Sequence, residues 1–248
     1  MESISVLGFA ASASDDGLRD NLSFRCVTAH RETIPVALRR RSSQAMHLVF
    51  SAASEACVQA RRSPEALPVV FASVAGEIQT TDQLCRELAK ADGLISPSAF
   101  HNSVQNAAAG YWSIARQCTQ PASALAAGQD TFAMALLEAW CQLAGLGGEL
   151  LLVCYDECWP GYLMPGSGRS ALACALMLAA GPVEGSIARL GRPQRGTIPA
   201  FPAEWRQAVD AMPVLAAIPL LEWLANGGAG TVLPISASSA GWWLEAGI

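Results

Sequence analysis

The chain has 248 residues, of which 52% are hydrophobic and 15% are charged, which is enough for one large domain with a substantial core. Its formal net charge is −5 and its densest basic run, Arg39 to Arg41, is only three residues long, which argues against nucleic-acid binding. The low density of charge predicts a surface that is covered, either by internal layers or by a partner subunit.

The apolar runs are too short for a membrane span. The run that ends at Ala180 is stopped by Gly181-Pro182, and the run from Met212 to Leu224 is interrupted by two prolines and a glutamate. The first residues lack the positive charge of a signal peptide and are typical of a strand. We therefore expect a soluble protein of the cytoplasm.

Eight cysteines are scattered among apolar residues, and no CxxC pair occurs. Cys154 and Cys158 are four residues apart, but the chain has only three histidines, so the pattern does not indicate a zinc site. We expect buried free thiols in a reducing compartment, with no metal and no cofactor.

In chain order, the hydrophobic patterns predict strands and helices that alternate. The predicted elements before the central segment are a strand Ile4–Ala10, a polar loop Ser12–Asn21, a helix Ser42–Arg61, a strand Leu67–Val74, a helix Asp82–Ala91 capped by Thr80-Thr81-Asp82, a loop Ser96–Asn102 and a helix Ser103–Arg116. Those after it are strands Gly148–Tyr155, Ala171–Ala179 and Gly185–Arg192, helices Phe201–Asp210 and Leu215–Asn226, and a strand Thr231–Ser236. Continuous apolar strands are typical of sheets covered on both faces, so we expect an α/β fold with a mostly parallel sheet.

The central segment runs from Ser123 to Gly145. Small residues through Ala127-Gly128 lead into a helix that is apolar nearly all round, so we expect the helix to be deeply buried. Its apolar residues are Phe132, Met134, Ala135, Leu136, Leu137, Ala139, Trp140 and Leu143. A tight turn before a buried helix is one way in which folds present a nucleophile, because the helix dipole favours a developing anion. This turn carries no nucleophile of the expected kind.

Upstream of that segment lies a distinctive block of motifs. Its residues are Gly76-Glu77, Thr80-Thr81, Leu84, Leu88-Ala89, Leu94 to Pro97, Phe100, Ser103-Val104, Asn106 to Ala108 and Gly110 to Ile114. The block resembles the N-terminal half of β-ketoacyl synthases. More closely, it resembles the short β-ketoacyl-synthase-like branch of aryl-polyene pigment clusters, which is similar to chain-length factors, the catalytically silent partners of type II ketosynthases.

The resemblance spans Ile4 to Leu190 and is most specific from Thr80 to Leu137. It implies a thiolase-like layered α/β fold, truncated to roughly the N-terminal half of a ketosynthase. It also implies a single domain, in which residues 1–195 match the ketosynthase half and residues 196–248 form a divergent C-terminal extension.

Ketosynthases form a thioester between the acyl chain and a cysteine at the turn before the buried helix. Their motif has small residues around the cysteine and a glycine three positions after it. On this chain the motif places Leu125 at the cysteine, followed by Ala126, Ala127 and Gly128, a degenerate nucleophile turn. Leu125 is then either a plug in the acyl tunnel or a core residue of a decayed site.

Full ketosynthases also use two basic residues of their C-terminal half, usually histidines, to decarboxylate the malonyl unit. This chain stops at Ile248, and its histidines, His30, His47 and His101, all precede Leu125. The loss of nucleophile and bases implies a subunit that does not catalyse condensation on its own.

The resemblance therefore implies a non-catalytic partner of an active ketosynthase in polyene, polyketide or fatty-acid-type chain elongation. Such a partner braces a heterodimer, shapes its acyl tunnel and meets the acyl carrier protein only through the complex. The tunnel or interface candidates are Phe100, Asn106, Tyr111, Trp112 and Phe132. The alternative is a stand-alone acyl-transfer or hydrolytic enzyme with an unrecognised nucleophile.

Several other chemically capable residues have simpler interpretations. We interpret Cys141 as core, Ser113 and Ser123 as turn or packing residues because neither lies in a GxSxG motif, and His101 as a solvent-facing loop residue. Gly166 to Arg169 is a candidate phosphate cradle but more simply a glycine-rich turn. The carboxylates Asp130, Asp156 and Glu157 give no paired general-acid arrangement, and Asp130 is favoured at its helix start by the dipole.

Overall fold

The structure is a computed structural model that describes residues 1–165, 170–197, 200–238 and 241–247. Within those ranges nine strands form one sheet: β1 Ser3–Ala13, β2 Val69–Ala72, β3 Ala122–Leu125, β4 Glu149–Glu157, β5 Ala171–Ala180, β6 Ala188–Gly191, β7 Gln194–Arg195, β8 Thr231–Pro234 and β9 Trp242–Gly247. The helices of the same ranges are α1 Asp16–Asp20, α2 Val36–Arg39, α3 Gln44–Ala60, α4 Ile78–Leu88, α5 Pro97–Asn102, α6 Ala107–Arg116, α7 Thr131–Leu146, α8 Ala203–Ala211 and α9 Ile218–Asn226. Short 3-10 segments occupy Arg31–Thr33, Pro64–Ala66, Gly128–Asp130 and Pro213–Ala217.

The strand order is β3-β2-β4-β5-β1-β6-β9-β7, and β8 pairs with β9. The α/β class is confirmed, but the predicted parallel sheet is wrong. Only β2–β3 and β2–β4 are parallel among the described pairings, and the other strand pairs are antiparallel. Burial on both faces reflects the helical layers rather than strand direction. No described helix crosses over between β4 and β5, so β5 returns beside β4 in the opposite direction.

Two hydrophobic layers cover the two faces of the sheet. Successive side chains of β4 alternate between them: Leu150, Leu152 and Cys154 pack on the side of α7, α8 and α9, whereas Leu151, Val153 and Tyr155 pack on the side of α3 and α6. A strand that is covered on both faces is apolar at successive residues, as β4 is from Leu150 to Tyr155, and this is why continuous apolar runs predicted the central strands.

Helix α3 agrees with its prediction to within two residues at each end. The Ser43 side chain caps it by accepting a hydrogen bond from the Met46 amide at 3.1 Å, and the chain leaves it through Arg61 in the left-handed region, at φ 54°. Eleven of its residues are buried, so α3 fills much of the layer on its side of the sheet.

Three predicted boundaries are wrong, and in two of them local hydrogen bonds mark a different helix start. Helix α4 begins at Ile78 rather than Asp82, since the Thr81 hydroxyl donates back to the Glu77 carbonyl inside the first turn. The predicted loop Ser96–Asn102 contains helix α5, for which Ser96 is the cap and Pro97 fills the first position. The helix predicted from Ser103 starts only at Ala107.

Two smaller differences lie at the ends of the chain. The polar loop after β1 contains α1, whose cap is Asp15, accepting from the Leu18 amide at 2.9 Å. Trp242-Trp243 open strand β9, which was not predicted. None of the helices in the described ranges has the length and apolarity that a bilayer crossing requires.

Helix α7 is not buried all round. Phe132, Ala135, Leu136, Ala139 and Leu143 face the core, whereas the opposite side is half-buried or exposed. We call that side the outer face of α7; its apolar residues are Met134, Leu137, Cys141, Ala144 and Gly145, and the half-buried Glu138 lies among them. The interpretation of Cys141 as core is wrong, and of the other cysteines Cys85 is exposed and Cys26 half-buried.

We expect the contact between β1 and α3 to tolerate no added atom at Gly8. A Cβ at Gly8 would lie 2.7 Å from the Ala56 carbonyl oxygen and 2.9 Å from the Ala60 amide nitrogen. Because both are backbone atoms of α3, the helix must shift, and Gly8→Ala should lower the free energy of unfolding by about 2 kcal/mol. Urea unfolding followed by circular dichroism measures it.

Gly110→Ala is the matched control. A Cβ at Gly110 in α6 would meet nothing within 4 Å, so this substitution should raise stability by about 0.5–1 kcal/mol through helix propensity. Equal effects at the two positions would contradict the proposed role of Gly8.

Candidate functional site at the ends of the parallel strands

The three parallel strands end side by side. Ala72 of β2 lies in register with Leu125 of β3 and with Cys154 of β4. The segments that follow these strands therefore meet at one edge of the sheet, the usual position of a site in an α/β fold. Gln105 links the ends of β2 and β3, since its side-chain amide donates to the Ser73 carbonyl at 2.7 Å and to the Leu125 carbonyl at 3.5 Å.

The turn before α7 lies at this edge, but Leu125 is not in it. Leu125 is the last residue of β3, where its carbonyl accepts from the Ser73 amide at 3.2 Å, and α7 begins six residues later at Thr131. Ala126 and Ala127 follow the strand, and Gly128 opens the 3-10 turn that leads into the helix. The structure thus separates the four residues predicted to form the turn into a strand end and a turn.

The residues next to the start of α7 are Gln129 and Asp130, which the sequence pattern missed. Thr131 fixes the turn: its hydroxyl donates to the Gly128 carbonyl at 2.7 Å and accepts from the Ala127 amide at 2.9 Å. An Asp-Thr pair just before a helical period is a common helix-start signal, and it would have located the helix start.

Both polar side chains of the turn contact the C-terminal part of the chain. The Gln129 amide donates to the Asp210 carbonyl at 3.1 Å. The Asp130 carboxylate accepts from the hydroxyls of Ser236 and Ser238, the latter at 3.0 Å. The start of α7 is therefore closed by the chain itself.

Asp156 is a buried carboxylate behind this turn. One of its oxygens accepts from the Ser73 hydroxyl at 3.0 Å and the Val74 amide at 2.9 Å, and the other accepts from the Val214 amide at 2.8 Å. Burial raises the pKa of Asp156 to about 6, and these hydrogen bonds act in the opposite direction. The carboxylate holds three chain segments together.

Glu77 is a second buried carboxylate, only 1% exposed, at the start of α4. One oxygen accepts from the Thr80 hydroxyl at 3.1 Å, and the other has no hydrogen-bond partner in the described part of the chain. Burial, and secondarily the Glu157 charge, raise the pKa of Glu77 to about 7. Burial also raises the pKa of Glu157, which accepts from the Gln79 amide at 3.2 Å.

These acids do not assemble a metal centre. Across the described ranges no group of three or more histidine, cysteine, aspartate or glutamate side chains is placed to hold a metal ion. The chemistry that the cluster supports is proton uptake, because the Glu157 charge opposes ionisation of Glu77 and the Asp156 charge opposes ionisation of Glu157.

The tunnel and interface candidates separate into two groups. Tyr111, Trp112 and Phe132 are buried inside this chain, and Trp112 packs edge-on against Phe50 at a centroid distance of 5.2 Å. They therefore lie in the core and not on the exposed surface of this chain, and a role for them in a tunnel stays a prediction. Phe100, at 59% exposure, and Asn106 lie at the surface and remain candidates.

The remaining candidates have local roles. The Ser113 hydroxyl donates to the Ala109 carbonyl within α6, and Ser123 accepts from the Gln142 amide. His101 is exposed at the end of α5, with its ring 5.9 Å from that of Tyr111. The candidate phosphate cradle, Gly166 to Arg169, lies outside the described residues.

We expect Glu77 to make stability depend on pH. Its pKa is about 7 in the folded chain against an ordinary 4.5, so the native state retains a proton that the unfolded state releases. Stability therefore falls as pH rises from about 4.5 to about 7, by on the order of 3 kcal/mol from this group. Glu77→Gln should flatten that fall in urea unfolding measured between pH 4.5 and 8.

Glu184→Gln removes a surface carboxylate and serves as the control, which should keep the wild-type slope. Asp156 remains in both variants, so its own contribution cancels in the comparison. An unchanged slope in Glu77→Gln would show that the Glu77 proton is not retained on folding.

The chain was compared with known proteins by family and by structure. The model of the β-ketoacyl synthase N-terminal domain matches residues 19–211, more than half of the chain. No curated protein sequence gives a significant match.

Several solved structures share the fold at low sequence identity. A chain of the ketosynthase ApeO in complex with its chain length factor ApeC from Xenorhabdus doucetiae has a TM-score of 0.72 and 18% identity, with 100% of both chains covered. A chain of AntDE:AntF, a type II polyketide synthase acyl-carrier protein in complex with its ketosynthase, has 0.73 and 11%, with 99% of both covered. The ishigamide ketosynthase/chain length factor has 0.60 and 16%, covering 87% of this chain and 72% of that one.

These matches show the layered ketosynthase fold, and with it the predicted fold class. The block of motifs from Gly76 to Ile114 lies inside the matched range. The chain belongs to the β-ketoacyl synthase N-terminal domain family.

Proposed function

We propose that this chain is a non-catalytic, chain-length-factor-like partner of an active ketosynthase, in polyene, polyketide or fatty-acid-type chain elongation. Family membership supplies the ketosynthase relationship, and two of the similar structures are complexes or pairs of a ketosynthase and a chain length factor. The observation that carries the proposal is a free sheet edge, β3, lying beside the apolar outer face of α7.

Strand β3 is the end strand of the described sheet. The Pro121 carbonyl accepts a hydrogen bond from the Val69 amide of β2, and the Leu125 carbonyl accepts one from the Ser73 amide just after β2. Because successive residues of a strand direct their polar groups to opposite sides, Ala122 and Ala124 direct theirs away from the sheet, where no described strand pairs with them. An edge of small, uncharged residues lacks the usual protection against pairing, so it suits a partner strand.

The outer face of α7 extends this surface. Gln142 donates to Ser123 at 3.3 Å, which ties α7 directly to β3. Next to this contact the outer face presents Leu137, Cys141 and Ala144, and its one carboxylate, Glu138, accepts a hydrogen bond from Gln142 at 2.7 Å. An apolar helix face continuous with an open sheet edge is what an obligate partner would cover.

The turn itself supports catalytic silence. Its residues from Ala126 to Asp130 include no cysteine and no serine, and Gln129 and Asp130 contact the C-terminal segment. No thioester can form there, whichever residue the family motif assigns to the cysteine. The eight free cysteines fit the reducing cytoplasm, where we place the complex. The acyl carrier protein would meet this chain only through the ketosynthase.

We expect co-expression with the ketosynthase of the same gene neighbourhood, with a tag on this chain only, to yield both proteins in equal amounts. Cys141→Arg should reduce the co-purified ketosynthase at least tenfold, because a guanidinium would be buried against the apolar partner surface. Quantitative gel densitometry or intact mass spectrometry gives the ratio of the two chains.

Val58→Arg is the matched control, an exposed apolar residue of α3 on the opposite side of the sheet, and it should leave the ratio unchanged. Failure of wild type to retain the ketosynthase would overturn the proposal. So would a covalent acyl adduct on this chain alone after incubation with an acylated carrier protein, which would favour an independent enzyme.

We further expect Phe100 to influence product length, since it is the large exposed aromatic among the remaining tunnel candidates. Phe100→Ala should lengthen the acyl products of the complex by one or two elongation units, and Phe100→Trp should shorten them, as liquid chromatography with mass spectrometry would show. Identical product distributions with both variants would remove Phe100 from the tunnel.

A further inference from the structure

A groove of about 590 Å³ lies between α7 and the β7 end of the sheet. Its lining consists of Leu137, Arg192, Pro193, Gln194, Arg195 and Trp242. We call it the arginine groove. It is distinct from the ends of the parallel strands, and neither the family resemblance nor the proposed silent role assigns it a purpose.

The arginine groove holds two positive charges that meet no counter-charge among the described residues. Arg192 and Arg195 are exposed, and neither makes an ion pair among the described residues. The single carboxylate of α7, Glu138, accepts a hydrogen bond from Gln142 at 2.7 Å on the β3 side of the helix. Glu245 follows the half-buried Trp242 by three residues along β9, so it projects from the opposite face of the sheet.

Aromatic rings form the rest of the site. Arg195 pairs across the sheet with Trp242, so both side chains lie on the face where α7 packs. The Arg192 guanidinium lies 5.9 Å from the centroid of the Trp140 ring. The buried indole nitrogen of Trp140 has no acceptor in the described part of the chain. The groove thus places guanidinium N–H donors beside the apolar side chains of Leu137 and Trp242.

The position of the groove points to the occupant. Leu137 belongs both to the groove and to the outer face of α7, so the two surfaces are continuous. On the other flank of α7, Gln142 reaches Ser123 of β3. A subunit seated on the β3 edge and the outer face of α7 therefore extends to the arginine groove. The net charge of this chain is −5, so two neighbouring arginines that form no ion pair within the described ranges favour an acidic partner segment at this place on the surface.

We propose that the arginine groove receives a carboxylate-bearing segment of the partner ketosynthase, with an acidic side chain at Arg192 and Arg195 and an apolar side chain against Leu137 and Trp242. This inference rests on the proposed function. Guanidinium groups bind carboxylates through paired hydrogen bonds, so the groove would fix the register of the two subunits as well as their affinity.

The test measures the dissociation constant of this chain for the ketosynthase by biolayer interferometry at 50 and 500 mM NaCl. The variants are Arg192→Glu/Arg195→Glu, its neutral counterpart Arg192→Gln/Arg195→Gln, and the control Arg189→Glu. Arg189 is exposed on β6 between the buried Ala188 and Leu190, so the control places the same charge change on the other face of the sheet. Circular dichroism verifies that each variant is folded.

We expect the double glutamate variant to bind at least tenfold more weakly than wild type at 50 mM NaCl, the double glutamine variant to lose most of the salt dependence, and the control to match wild type. If wild type binds and both double variants bind equally well with the same salt dependence, the groove inference is wrong while the proposed function stands. If wild type does not bind the ketosynthase, both fail.

Discussion

The buried carboxylate of Asp156 determines how the functional end of this chain is assembled. Desolvating a carboxylate costs several kcal/mol unless donors replace water, and here Ser73, Val74 and Val214 supply three. Those donors come from the turn after β2 and from the 3-10 segment Pro213–Ala217, so one side chain at the end of β4 joins the central sheet to the C-terminal segment. Removal of one donor leaves this buried carboxylate with an unsatisfied acceptor, which costs about 1–3 kcal/mol, so the positions of the three segments depend on one another.

The sequence predicted what periodicity controls. The buried strands and α3 were located because a layer on each face of a sheet requires an apolar residue at every position. Strand direction was beyond that signal, since β4 and β5 are equally apolar and yet run antiparallel. The burial of α7 was overestimated for a related reason. Apolarity on all sides of a helix indicates that all sides are covered, but it does not say whether the cover belongs to the same chain. Leu137 and Cys141 lie on the side that this chain leaves open.

The position of the turn before α7 was missed through register. A motif of small residues matches Ser123 to Gly128 as readily as the true turn, because alanine and glycine carry little positional information. The structure places Leu125 in a strand, since its carbonyl completes the pairing with Ser73. The Thr131 hydroxyl, which holds Gly128 and the Ala127 amide, is the more informative residue. A side chain that satisfies free backbone groups at a helix start fixes a boundary that apolar spacing cannot.

Under the proposed non-catalytic role, the same contacts have a structural use. In an active site, the polar groups at the start of the buried helix must remain available to a reacting atom. Here Asp130 is occupied by Ser236 and Ser238, and Gln129 by the Asp210 carbonyl, all from the C-terminal part of the chain. These bonds tie the start of α7 to the C-terminal part of the chain, and the Gln142 contact with Ser123 ties the same helix to β3, beside the strand edge and the outer face of the helix. If the proposed partner binds there, a change that loosens the start of α7 also disturbs the face to which the partner binds.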